Sequence, residues 1–176
     1  MGLIKKLKLK IKKALGIEKD GIDDLRKKGV IIGNNVDILN SIVDNYVEIG
    51  NNVTITNATI LSHDASTKKF LGKSKFGKVV IGNDVFIGLG AIVLPGTIIG
   101  DKVIVGAGAV VSGKIESNSV VVGNPCKKIC SFDEYIEKHK RKMNKDNTFD
   151  TPIERSKKQM DEIRNKIKSG EIFYDN

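Results

Sequence analysis

Tryptophan is absent, and aromatic residues make up only 5% of this 176-residue chain. Rings interleaved with basic side chains, the platform on which nucleic-acid bases stack, are therefore missing, and neither helix-turn-helix nor metal-finger spacing replaces them, which excludes a nucleic-acid function. Cysteine is nearly absent too. Cys126 and Cys130 form a lone C-x3-C pair, and His139 falls on a different expected element, so a zinc site is excluded. Two thiols without a secretory leader point to a reducing cytoplasm. Apolar runs extend only a few residues, too short for a membrane span. The opening Met1-Gly2-Leu3-Ile4-Lys5-Lys6 lacks the Ser or Thr that a myristoylation signal carries at its sixth position.

The formal charge of +9 is unevenly placed: residues 1–20 contribute +5, residues 21–130 contribute +3 and residues 131–176 contribute +1. At the N-terminus Ile4, Leu7, Ile11 and Leu15 share one helical stripe, with lysines elsewhere. A basic amphipathic helix over residues 2–15 of this kind either lies on an anionic leaflet, here the inner face of the membrane, or packs its stripe on the protein or on another subunit. Leu9 falls off the stripe in both cases.

Glycine numbers 18, and Val, Ile and Asn are plentiful, the composition of a core of small branched residues with tight corners. From Ile81 the chain reads IGNDVF, IGLGAI, VLPGTI, IGDKVI, VGAGAV and VSGKIE. Each hexad opens on an aliphatic residue (Ile81, Ile87, Val93, Ile99, Val105, Val111), and the fifth positions, from Val85 to Ile115, are small or branched. A looser array precedes it, in which Val43, Ile49, Ile55 and Leu61 keep the same step and Ile32-Gly33-Asn34-Asn35-Val36 opens it. Six residues make one short strand and a corner, so three sides close a triangular coil in which residue i stacks on i+18. The expected fold is an all-β solenoid whose ends need covers. The repeat is expected to end at Ser117. Ser131-Phe132-Asp133-Glu134 then opens a helix to about Met143, and Thr151-Pro152-Ile153-Glu154 opens a second, available to cover the last coil or a neighbouring subunit. This divides the chain into a basic N-terminal segment (1–28), a coil domain (29–130) with a loop excursion at 64–78, and a helical extension (131–176).

Four segments, Ile60-Leu61-Ser62-His63-Asp64-Ala65-Ser66, Val80 to Gly88, Val105 to Val111 and Val122 to Ile129, resemble the hexapeptide-repeat acyltransferase family. The likeness is nearest to its sugar and capsular or lipopolysaccharide glycan O-acetyltransferases. The resemblance implies a left-handed parallel β-helix, a homotrimer and acetyl-CoA as acyl donor with no metal required. It places the catalytic base at His63, and an oxyanion-binding amide near Gly88 and Leu89. Phe86 stands where many relatives carry Trp. Gly106, Ala107 and Ser112 line the expected pantetheine groove, and Lys127 and Lys128 follow Asn124-Pro125 where relatives place basic residues near coenzyme A phosphates. Asp44 matches a position near the acceptor.

The chemistry agrees with the choice of His63, since attack of a hydroxyl on a thioester needs a base titrating near neutrality. His63 sits where the hexads break, at the mouth of the excursion, and the adjacent Asp64 either biases its tautomer or binds the acceptor. The excursion is basic, with Lys68, Lys69, Lys73, Lys75 and Lys78. Two other functions use the same fold: an N-acetyltransferase for nucleotide-linked amino sugars, and a non-enzymatic β-helix scaffold. His139 has only a structural role in this reading.

Overall fold

The computed structural model describes residues 21–144, with 148–149, 161, 163–165, 167–168 and 173–174. The expected helices at 2–15 and from Thr151 lie largely or wholly outside these residues. The chain divides into two compact units, Met1–Phe132 and Asp133–Asn176.

The first unit is a left-handed parallel β-helix about five coils deep. Its first face stacks the strands Ile31–Ile32, Val47–Ile49, Val79–Ile81, Ile98–Ile99 and Lys114–Ile115. The second face stacks Val36–Leu39, Val53–Thr56, Phe86–Ile87, Val103–Val105 and Ser119–Val122. The third stacks Ile42–Val43, Thr59–Ile60, Ile92–Val93 and Val110–Val111. A short helix, Ile22–Lys27, buries Leu25 in the same core.

Each face sends one aliphatic column inward, because side chains alternate across a strand and the hexad places its first and fifth positions on the same side. On the second face Ile38, Ile55, Ile87, Val105 and Val121 stand in register, all essentially buried. Burying each such side chain contributes roughly 1.5–3 kcal/mol. Thr97, a polar fifth position, is buried and satisfied by donating its hydroxyl to the Leu94 carbonyl at 2.6 Å.

The corner between the first and second faces is an amide ladder. The Asn83 side-chain oxygen accepts the Asn51 backbone N–H at 2.9 Å, and the Asp101 carboxylate accepts the Asn83 N–H at 2.6 Å. The next residue in each coil turns left-handed: Asn35, Asn52, Asp84, Lys102 and Asn118 have φ between 52° and 56°. Gly82 precedes this turn because a Cβ there would lie 2.8 Å from the Gly100 carbonyl of the next coil.

The coil length differs from the expected constant eighteen. That spacing holds where Ile81 stacks on Ile99 and Val93 on Val111. The first coil is one residue shorter, stacking Ile38 on Ile55 and Val43 on Ile60. Its compact corners use Asn40 and Asn57 at φ 48° and 42°, and the Ser41 hydroxyl closes the gap, accepting from the Ala58 N–H at 3.1 Å. The inward residue is consequently Ile60, fully buried, and not Leu61, which is half-buried.

The last corner is shorter still. Ile115 therefore lies under Ile99 in the first-face column instead of at a fifth position, and the coil runs past Ser117 through Ser119–Val122. Lys127–Cys130 then folds back antiparallel on that strand.

The excursion is a hairpin. His63–Asp64 pairs antiparallel with Lys75–Phe76, and a single helical turn, Lys68–Leu71, lies between them. A helix at Phe132–Lys142, close to the expected span, belongs to the second unit from Asp133 onward, and in it His139 Nδ1 lies 2.8 Å from the Tyr135 carbonyl. Thr148–Phe149 pairs with Phe173–Tyr174. Among the described residues no helix is long and apolar enough to cross a membrane.

Candidate active site

Asp44 and His63 arise on successive coils at the corner where the third face turns into the first. Asp44 follows Val43, and its N–H donates to the Ile60 carbonyl at 3.0 Å. Ser62 and His63 follow Ile60 one coil later. The imidazole comes directly against the carboxylate, with His63 Nδ1 2.6 Å from Asp44 Oδ2. The same oxygen accepts the Ser62 N–H at 3.1 Å, and Oδ1 accepts the Asn45 N–H at 3.1 Å. Desolvation opposes ionisation of Asp44, but the hydrogen bonds from His63 and the Ser62 and Asn45 amides override it and lower its pKa to about 2. Asp44 is thus a carboxylate at any working pH. An ionised carboxylate only accepts, so Nδ1 carries the proton of the neutral ring and Nε2 keeps the free lone pair. The His63 side chain is 48% exposed, so that lone pair is accessible to solvent-borne reactants.

The hairpin positions the remaining wall. Phe76, opposite His63 across the antiparallel pair, stacks on the imidazole with centroids 5.8 Å apart and planes at 29°. Tyr46 meets Phe76 edge-on at 6.0 Å and 87°. Tyr46, Phe76, Gly77 and Lys78 line an open hollow of about 300 Å³. Lys78 is engaged with Glu48 at 2.6 Å.

The sequence offered Asp64 as a tautomer-setting or acceptor-binding carboxylate and Asp44 as a residue near the acceptor, and the contact with the imidazole falls to Asp44. Asp64 Oδ1 accepts the Ser66 N–H at 2.8 Å, which holds its carboxyl below the usual range, and its other oxygen is 3.8 Å from Lys75 Nζ. The Nδ1 partner is Asp44. Tyr46 and Phe76 escaped the sequence reading altogether; the signal available was the placement of scarce aromatics immediately beyond Asp44-Asn45 and at the end of the excursion.

The expected groove residues other than Ser112 lie at or next to another corner, between the second and third faces. Gly88-Leu89-Gly90 and Gly106-Ala107-Gly108 stack there, with the Gly108 N–H donating to the Leu89 carbonyl at 2.9 Å. A Cβ on Gly88 would lie 2.8 Å from the Ala107 nitrogen, so only glycine permits this approach. The Gly88 N–H is committed to the Val105 carbonyl at 2.9 Å, whereas the Leu89 N–H makes no backbone hydrogen bond among the described residues. Phe86 points outward from the second face, 43% exposed. Lys127 and Lys128 lie on the antiparallel return strand, and Lys128 donates to the Asn118 carbonyl at 3.0 Å. Ser112 follows Val111 at the His63 corner, one coil beyond Leu94. Within one chain, therefore, His63 and the Gly88–Ala107 corner stand on opposite edges of the third face.

Residues 78–113 match the bacterial transferase hexapeptide model of six repeats. The chain is also 40% identical over 148 residues to Protein CapG of Staphylococcus aureus, an alignment covering 77% of this chain and 83% of that protein. The chain belongs to the bacterial hexapeptide transferase family. Two solved acetyltransferase structures align over less of their length. A galactoside acetyltransferase solved in complex with coenzyme A superposes with a TM-score of 0.52 at 30% identity, covering 62% of this chain and 58% of that one. A hexapeptide-repeat-containing acetyltransferase from Vibrio cholerae gives 0.54 at 22% identity, covering 59% and 63%, a likeness of fold alone.

Proposed function

We propose that this hexapeptide transferase moves the acetyl group of acetyl-CoA to a hydroxyl of a sugar or glycan precursor, with His63 as general base and Asp44 as the residue that orients it. That the chain is an acyltransferase comes with its family. The observation that carries the finer reading is the 2.6 Å contact of His63 Nδ1 with an ionised Asp44, which leaves Nε2 free, on a ring stacked against Phe76 of the hollow's wall.

In the reaction the acceptor hydroxyl donates to His63 Nε2. As its oxygen attacks the thioester carbonyl, the proton passes to Nε2 and the nearby Asp44 carboxylate stabilises the imidazolium. The uncommitted Leu89 amide is the donor available to the tetrahedral oxyanion. Collapse breaks the carbon–sulfur bond, and the imidazolium returns its proton to the departing thiolate, leaving acetyl ester and coenzyme A.

The groove formed by Phe86, Gly88, Leu89, Gly106 and Ala107 takes the pantetheine arm, and Ser112, Lys127 and Lys128 contact the rest of the coenzyme. Since this corner and His63 flank opposite edges of the third face, a complete site combines His63 of one subunit with the Ala107 groove of a neighbour, three times in a cyclic homotrimer. The solved galactoside acetyltransferase with coenzyme A supports the choice of donor.

The test is His63→Ala assayed in parallel on hydroxyl and amino sugars with acetyl-CoA. Turnover on hydroxyl acceptors is expected to fall by roughly 10²–10⁴ with assembly unchanged. Near wild-type turnover would end the general-base reading, and exclusive use of amino sugars would make the protein an N-acetyltransferase.

A further inference from the structure

We infer that Tyr46 and Phe76 are the acceptor-selecting residues and that the acceptor is a pyranose, which lays a C–H face on one of these perpendicular rings and meets the edge of the other; the inference deepens, and rests on, the O-acetyl transfer proposed above.

Both rings are outliers in their surroundings. Phe76 is 64% exposed and Tyr46 62% exposed, in a chain with only nine Phe and Tyr in all and no Trp. Neither contributes to the core, which is built of aliphatic columns. They are nonetheless held in a defined arrangement, edge to face with each other, and Phe76 is parallel-offset on the His63 ring. Phe76 is fixed by the hairpin register that sets it opposite His63, and the adjacent Gly77 N–H donates to the Ser62 carbonyl at 2.9 Å. Rings ordered outside the core, on the wall of a hollow at the corner where the proposed trimer brings base and groove together, are placed to contact the acceptor.

The chemistry of the hollow selects among acceptors. Its volume of about 300 Å³ sits at the small end of ligand sites, suited to one ring and not to a long chain held along its length. An aromatic ring carries negative charge density on its face, which attracts the weakly positive axial C–H groups of a pyranose and leaves its equatorial hydroxyls pointing sideways. The imidazole covers one face of Phe76, so the sugar lies on Tyr46 and meets the edge of the Phe76–His63 stack, with its rim of hydroxyls turned toward the imidazole. An amino acid acceptor would require a cation for its carboxylate and an anion for its ammonium. The cation in the wall, Lys78, is already held by Glu48, and the rest is Tyr46, Phe76 and Gly77.

The decisive experiment separates binding from catalysis. Saturation-transfer difference NMR on the intact protein, with methyl gluco-, galacto- and mannopyranosides and without acetyl-CoA, is expected to show transfer to the C–H protons of one ring face. Tyr46→Ala and Phe76→Ala should each abolish or strongly weaken it, while Tyr46→Phe and Phe76→Tyr, which keep the rings, should retain it. Circular dichroism checks that the outward substitutions leave the coil folded. In the acetyl-transfer assay Tyr46→Ala should raise the pyranoside KM roughly 3- to 10-fold with kcat little changed, a magnitude typical of one aromatic contact. Absence of saturation transfer, its survival in both alanine variants, or equal use of sorbitol, L-serine or chloramphenicol as acceptor would overturn the inference. Ring-dependent pyranoside binding without any acetyl transfer would instead overturn the proposed activity and leave this subsite standing.

Discussion

Replacing Asp44 by Asn probes the geometry at its most sensitive point. Both carboxylate oxygens accept, Oδ1 from the Asn45 N–H and Oδ2 from the Ser62 N–H and His63 Nδ1. An amide of the same shape has only one acceptor oxygen. If its NH₂ faces His63, Nδ1 becomes the acceptor, the ring proton moves to Nε2 and the base is lost. If its NH₂ faces Asn45, the tautomer survives but the charge that stabilises the imidazolium does not. Two unit charges about 4 Å apart interact by about 1 kcal/mol in water and about 4 kcal/mol near a protein surface, and His63, half-exposed, lies between these limits. At about 1.4 kcal/mol per decade, kcat should fall roughly 10- to 10³-fold in the second orientation, and further in the first. The assay is thiol release from acetyl-CoA at saturating acceptor, with size and circular dichroism as controls. A raised KM with unchanged kcat would mean that Asp44 binds the acceptor directly and would refute the positioning role; activity within twofold of wild type would refute any role.

Three further outcomes follow from the same structure. Because the Asp44 pKa is lowered from 3.8 to about 2 in the folded protein, the unfolded chain binds the extra proton in that interval. Its stabilisation, about 1–2 kcal/mol after solvent screening, is present above about pH 4 and lost as pH falls to about 2; urea titrations of wild type and Asp44→Asn should differ in slope only there. Ile87→Ala, in the centre of the second-face column, should cost about 2–5 kcal/mol in denaturant unfolding, and a cost under about 1 kcal/mol would contradict the stacked-column core. Co-refolding His63→Ala with Ala107→Trp, each inactive alone, should restore roughly one quarter of wild-type activity, since three quarters of random trimers are mixed and each mixed trimer has one intact site in three. Confirmed subunit exchange without recovery would place base and groove on the same chain.

The sequence by itself determined the solenoid, because the hexad is a local code. An aliphatic residue every six positions and Gly, Asn or Asp at each corner specify a strand and a bend without reference to anything distant. His63 stood out as a titratable residue at the point where that code breaks, and the family resemblance singled it out as the candidate base. The register was not legible in the same way. Leu61 and Ile115 were placed by continuing the six-residue step, whereas the compact corners at Asn40 and Asn57 and the short turn through Gly113 move the inward position to Ile60 and bring Ile115 under Ile99. Corner length depends on backbone conformation and on a hydroxyl such as Ser41 filling the ladder, which the aliphatic pattern does not encode. The site depends on tertiary contacts in the same way. Asp64 adjoins His63 in sequence, yet its carboxylate accepts from the Ser66 amide, and Asp44, nineteen residues away on the preceding coil, meets the imidazole. Tyr46 and Phe76, thirty residues apart, meet only because the hairpin returns to its starting corner. Periodicity decided the scaffold, and the closure of one coil upon the next decided which side chains share a site.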